Sequence, residues 1–110
     1  MIFDRDGNIT FVHQEKVSLQ EFLANLEKAY PKLKNDHLVL NLFSFDQLSE
    51  EALLEFLPLS DRHRGLGKSF VLVSEATSYE EVPEEISLVP SLQEARDLIE
   101  MEDIERDLDL

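Results

Sequence analysis

The sequence predicts a single α/β domain with a mixed, mostly parallel sheet of about five strands, an N-terminal hairpin and about four helices. Three observations predict it. His37–Phe43 and Ser69–Ser74 are near-continuous apolar runs, the composition of strands covered on both faces. Segments with apolar residues at helical spacing alternate with those runs, and two of them open on Ser-x-x-Glu. The chain has 110 residues, the length of one domain, and a chain of that size buries roughly 65% of its unfolded surface.

The first element is a hairpin. Ile2-Phe3 and the alternating Ile9-Thr10-Phe11-Val12 flank Asp6-Gly7, a pair that supplies the positive φ angles of a tight turn. Asp4-Arg5-Asp6-Gly7-Asn8 also has the look of a calcium loop. Such a loop needs further ligands, a bidentate Glu at its twelfth position and helices on both sides. A strand pattern follows instead. Ser18-Leu19-Gln20-Glu21 then forms a capping box, and Leu19, Phe22, Leu23, Leu26 and Tyr30 make one apolar helix face. Pro31 and the polar residues after it are expected to end that helix.

After the central strand a second helix starts at about Ser49, turning Ala52, Leu53, Phe56 and Leu57 inward. Pro58 removes the hydrogen bond to the Leu54 carbonyl, so a kink is expected near Phe56-Leu57, with helix resuming through Arg64. Gly65 and Gly67 close it. Thr77–Glu85 has room for at most a short helix, and Ile86–Val89 reads as the last strand. Ser91-Leu92-Gln93-Glu94 is the second capping box. It opens a long helix expected to turn Ala95, Leu98, Ile99, Ile104 and Leu108 inward, with Met101 as a core or rim residue. The order is β-β-α-β-α-β-α-β-α, with no internal repeat or linker.

Composition narrows the function. With 24 acidic and 10 basic side chains the formal charge is −14, which repels phosphate backbones and anionic lipid surfaces. Nucleic-acid and membrane partners are disfavoured, and a basic protein surface is permitted. No cysteine is present, so disulfides and thiolate metal sites are ruled out. No apolar run approaches the roughly 20 residues of a membrane span, and the first residues lack a secretory signal pattern. The cytoplasm is the expected location.

The segment from Val39 to Leu53 carries a family resemblance. Val39-Leu40-Asn41-Leu42, the apolar Leu48 and a helix starting at Ser49 resemble the switch segment of STAS domains, the family of bacterial anti-sigma factor antagonists. Regulated members carry an Asp-Ser-Ser-Gly-Leu turn there. By spacing, Ser49 stands at the Asp, Glu50 and Glu51 at the two serines, Ala52 at the Gly and Leu53 at the Leu. The resemblance implies a non-enzymatic protein that docks on an anti-sigma kinase or another regulator, normally controlled by phosphorylation at that turn. Here two permanent acids replace the serines. Acids in the first helical turn are also the ordinary complement of a helix dipole, and both readings stand at this point.

The expected partner-binding residues are Phe45, Asp46, Gln47, Ser49, Glu50 and Glu51, flanked by Arg62 and Arg64 of a basic cluster completed by His63 and Lys68. That cluster has an ordinary reading too, as cations at a helix C-terminus. Ser44 and Ser49 are candidate modification sites. Ser60-Asp61-Arg62-His63 contains the residue types of a hydrolytic triad, but consecutive helical residues point to different sides and no Gly-x-Ser-x-Gly elbow exists. His13, His37 and His63 lack metal-ligand spacing, and no cofactor or metal is implied. The last helix places eight acids against two arginines between Glu94 and Asp109, either as a solvated face or as a ridge that steers a basic partner. The competing classes are an enzyme or small-ligand binder using the crevice at the second helix start, and a structural subunit of a larger assembly.

Overall fold

The computed structural model describes residues 1–13, 17–45, 47–75 and 82–108, and its five strands lie side by side in chain order. Strand β1 (Ile2–Asp6) pairs antiparallel with β2 (Ile9–His13). Strands β3 (His37–Asn41), β4 (Phe70–Val73) and β5 (Ser87–Val89) then add in parallel. The helices are α1 (Leu19–Leu33), α2 (Glu50–Leu54), α3 (Leu57–Gly65) and α4 (Leu92–Leu108). The expected α/β class, the hairpin and the parallel sheet are all present.

Strand alternation divides the core. Val12, Leu38, Leu40, Phe70 and Leu72 point to one face and pack with Phe22, Leu26, Leu53, Phe56 and Leu59 of α1 to α3. Phe11, Val39, Val71 and Val73 point to the other, where Ala95 and Ile99 of α4 cover them. Three helices therefore lie on one side and a single helix on the other. β3 sits third of five, with neighbours on both edges and side chains buried on both faces.

Several local expectations shift. Asp6 pairs with Ile9, so the turn residues are Gly7 and Asn8, and only Gly7 has positive φ, at 62°. A single positive φ at the first turn residue is the II′ pattern, which places the glycine one step earlier than an Asp-Gly turn would. α1 runs two residues past Pro31 to Leu33. The proline costs only one hydrogen bond in the last turn, and Leu33 gains a place in the core. The break near Pro58 is observed: α2 ends at Leu54, and Pro58 lies in the first turn of α3, where no intrahelical N–H is missed. Past α3, Gly67 takes φ of 77° and its N–H bonds the Arg64 carbonyl at 2.9 Å. Of Thr77–Glu85, given room for at most a short helix, residues 77–81 lie outside the described residues and residues 82–85 form no helix.

The largest correction concerns α4. Ile104 and Leu108 do not face the sheet; they are 60% and 80% exposed, and Met101, expected in the core or at its rim, is 59% exposed. Counting in steps of three and four from Ala95 and Ile99 reaches Glu102, Asp103 and Arg106. Those three face inward and bond the starts of β3 and β4. Arg106 donates to the Ser69 hydroxyl at 3.0 Å, that hydroxyl donates to Glu102 at 2.6 Å, and His37 meets Asp103 at 3.1 Å. Leu98 stays partly buried against the sheet.

Candidate partner-binding face

The chain leaves β3 at its C-terminal end through a loop held by its apolar residues. Leu42 continues the ladder through its N–H to the Val73 carbonyl at 2.9 Å, and both Leu42 and Leu48 are buried. Between them Phe45 is half-buried, its ring 5.9 Å from that of Phe22 near the start of α1. Asn41 steadies the exit: its amide nitrogen meets His13 Nδ1 at 2.9 Å, and its side-chain oxygen accepts the Phe43 N–H at 3.0 Å. Anchored on two buried leucines, the loop presents Phe43 and Gln47 to solvent.

The helix that follows begins as the capping pattern requires. Ser49 has extended φ and ψ of −76° and 163°, and its hydroxyl accepts the Ala52 N–H at 3.1 Å. Glu50 and Glu51 occupy the first turn, both exposed, and Leu54 is exposed on the same short helix. Free backbone N–H groups and the positive end of the dipole sit beneath those acids. The result is a solvent-facing helix start with fixed negative charge and apolar neighbours, rising from the exit of the central strand.

The structure brings Phe45, Gln47, Ser49, Glu50 and Glu51 to this end of the sheet; Asp46 lies outside the described residues. Of the candidate modification sites, Ser49 is exposed but uses its hydroxyl as the cap. The Ser44 hydroxyl oxygen is buried without a hydrogen-bond partner among the described residues, an orientation that hides it from a modifying enzyme.

Arg62 and Arg64 do not flank these residues. α3 runs back across the sheet, so its basic end lies where β4 and β5 begin. Arg64 donates to the Phe70 carbonyl at 3.3 Å and the Ser87 hydroxyl at 2.6 Å, and pairs with Glu102 at 3.2 Å. Arg62 pairs with Glu27 at 3.4 Å and stands 5.4 Å from the centre of the Tyr30 ring. The first is a clamp among α3, α4 and the sheet. The second is a surface pair, worth at most about 1 kcal/mol.

That end of the sheet also holds a polar network that periodicity does not reveal. The His63 ring is buried between Tyr30 and Phe70. Its Nε2 lies 2.7 Å from the Asp36 carbonyl, which can only accept, so Nε2 carries the proton. Its Nδ1 then accepts the Tyr30 hydroxyl at 2.8 Å. His37 repeats the arrangement: Nδ1 accepts the Ser69 N–H at 2.9 Å, and Nε2 faces Asp103. The Asp36 carboxylate accepts from Thr10 at 2.9 Å and pairs with Arg5 at 3.1 Å, tying the hairpin in.

Burial pushes both imidazoles below the ordinary histidine value, against the opposing pull of Asp103 on His37 and of the Asp36 carbonyl on His63. Burial likewise raises the Tyr30 hydroxyl and so keeps it a donor, with Arg62 partly opposing the shift. The sequence signal for it was slight: His37 opens the buried-type run of β3, but His63 stands among charged residues. The Ser60–His63 grouping has no triad geometry. Ser60 is buried without a hydrogen-bond partner among the described residues, Asp61 is exposed, and both His63 nitrogens are occupied elsewhere. Among the described residues no three His, Asp or Glu side chains converge as metal ligands, and no helix is long and apolar enough to cross a membrane.

No protein-family model and no curated protein matches the sequence. Among solved structures, a serine-to-glutamate variant of RsbS from Moorella thermoacetica superimposes with a TM-score of 0.66. The match covers 96% of this chain and 97% of that one, at 15% identity. RsbS is a STAS-domain anti-sigma factor antagonist. Strand order, the N-terminal hairpin and the placement of the helices are those of the STAS fold.

Proposed function

We propose that this chain is a non-catalytic regulatory module of the anti-sigma factor antagonist kind, acting in the cytoplasm by docking on a protein regulator. Its docking face is the exit of β3 and the start of α2, centred on Phe45, Gln47, Ser49, Glu50 and Glu51. The observation that carries this reading is the exposed, serine-capped helix start bearing two acids at the end of the central strand. A phosphate added to such a turn brings roughly −1.5 to −2 charge. Glu50 and Glu51 supply charge of that order permanently, with nothing to add or remove. The module is therefore set either in the phosphorylated-like state or for a partner whose basic surface selects the acid pair. Serine phosphorylation at the usual position does not switch it.

The test is affinity capture from the native cell with the wild-type chain and with Glu50→Ser/Glu51→Ser, both checked for unchanged circular dichroism. The expected result is a protein whose recovery changes with the substitution. Identical recovery by both forms, or no specific recovery by either, removes the docking face.

A further inference from the structure

α4 turns its apolar side away from the body of the protein. Met101, Ile104 and Leu108, separated by three and four residues, form one stripe along its outer face, each more than half exposed. At about 100° per residue, Glu100 and Asp107 flank the stripe on one side and Glu105 on the other, all exposed. The inward side is taken by Glu102, Asp103 and Arg106, whose contacts with Arg64, His37 and Ser69 fix the rotation of the helix. The stripe therefore cannot turn inward without breaking that network.

We infer that this outer face of α4 is a second docking surface, and that its occupant is a basic amphipathic helix with an apolar seam between Lys or Arg residues. Charge complementarity selects that occupant. An apolar seam covers Met101, Ile104 and Leu108, while cations on both sides of it meet the acidic rails. A second copy of this chain would set acids against acids, with a formal charge of −14 on each molecule. α4 covers the opposite side of the sheet from α1 to α3, and the inference does not rest on the docking face proposed above.

The probe is a synthetic Leu/Lys amphipathic helix of about four turns, titrated against the full chain at physiological salt, with a Leu/Glu helix of the same length as control. Saturable binding of the Leu/Lys helix alone is expected, weakened at least about tenfold by Ile104→Asp and by Leu108→Asp. It should be unchanged by Leu66→Asp, at an exposed apolar position at the end of α3. The Asp substitutions discriminate because they add negative charge: simple attraction to lysine would strengthen. Ile104→Ser repeats the test without a charge change. Binding that Ile104→Asp leaves equal or tighter overturns the inference, as does absence of binding. A wild-type dimer in sedimentation that Ile104→Asp dissociates also overturns it, because a second copy then covers the stripe.

Discussion

The two ends of the sheet are built to different rules. Where β3 and β4 begin, polar side chains reach across the fold: Tyr30 to His63, His63 to Asp36, His37 to Ser69, Arg64 to Ser87 and Glu102. Their partners come from other elements and several are buried. Where β3 ends, the acids stand in solvent and the serine cap serves its own helix, while Asn41 meets His13 across two strands and backbone ladder bonds such as Leu42 N–H to the Val73 carbonyl close the sheet. Buried polar groups are costly unless fully paired, so the first end holds the architecture in one arrangement. The second contributes little to stability and can be given over to recognition. The sequence places its charge accordingly, with Glu50 and Glu51 exposed in the first turn of α2.

The largest expected effect tests that division. His63→Ala leaves a cavity, an unpaired Tyr30 hydroxyl and an unpaired Asp36 carbonyl, and should cost about 3 kcal/mol in urea unfolding. Glu51→Ala, at an exposed position, should stay within about 0.5 kcal/mol. Equal losses at the two positions would mean that the ends are not mechanically distinct. A smaller effect comes from pH. Both buried imidazoles are neutral in the fold with their proton affinities depressed, so the unfolded chain binds protons that the folded chain refuses. Their contribution is fully present above the ordinary value of about 6.5, begins to be lost as pH falls below it, and goes on being lost until pH reaches the lowered folded values. The thermal midpoint should fall between about pH 7.5 and about pH 5.5, and NMR should find both rings still neutral where free histidine is half protonated. Ring signals that titrate at the free value would break the account.

The end where β3 leaves the sheet, the proposed docking end, was more legible in the sequence than the fastened end. Ser49 before two acids and a run of apolar spacing is a local signal, and local signals survive folding: the cap, the first-turn acids and the break before Pro58 all appear. The fastening network depends on residues that meet only after α1, α3 and α4 have packed with the starts of β3, β4 and β5. Tyr30 and His63 are 33 residues apart in the chain. Arg64 illustrates the limit. As a cation near a helix C-terminus it reads as surface charge, yet its guanidinium bonds a strand carbonyl, a hydroxyl and a carboxylate. α4 is a different failure. Its inward row was present in the spacing, but Glu102, Asp103 and Arg106 look like surface residues until a buried polar partner surface exists to receive them. Ile104 lies five residues after Ile99, out of step with the helical repeat that the inward row keeps.

The smallest effects lie at the proposed docking end itself. Ser49→Ala removes the acceptor for the Ala52 N–H and should cost about 1 kcal/mol, as Ser18→Ala should at the start of α1. The two losses should differ in reach. α1 contributes four buried residues and is continuous over 15 positions, so weakening its start is felt in global unfolding. α2 has five residues with only Leu53 buried, so its loss should be largely local. Hydrogen exchange distinguishes the cases: Ser49→Ala should speed exchange at Ala52 and Leu53 while the amides of Val39 and Leu40 keep their protection. Glu50→Gln/Glu51→Gln should be smaller again, under about 1 kcal/mol for the pair, and should shrink further in high salt. A larger loss, or one insensitive to salt, would make the acids structural members of the fold, and the contrast between the two ends would then fail at the start of α2, where the proposed docking face lies.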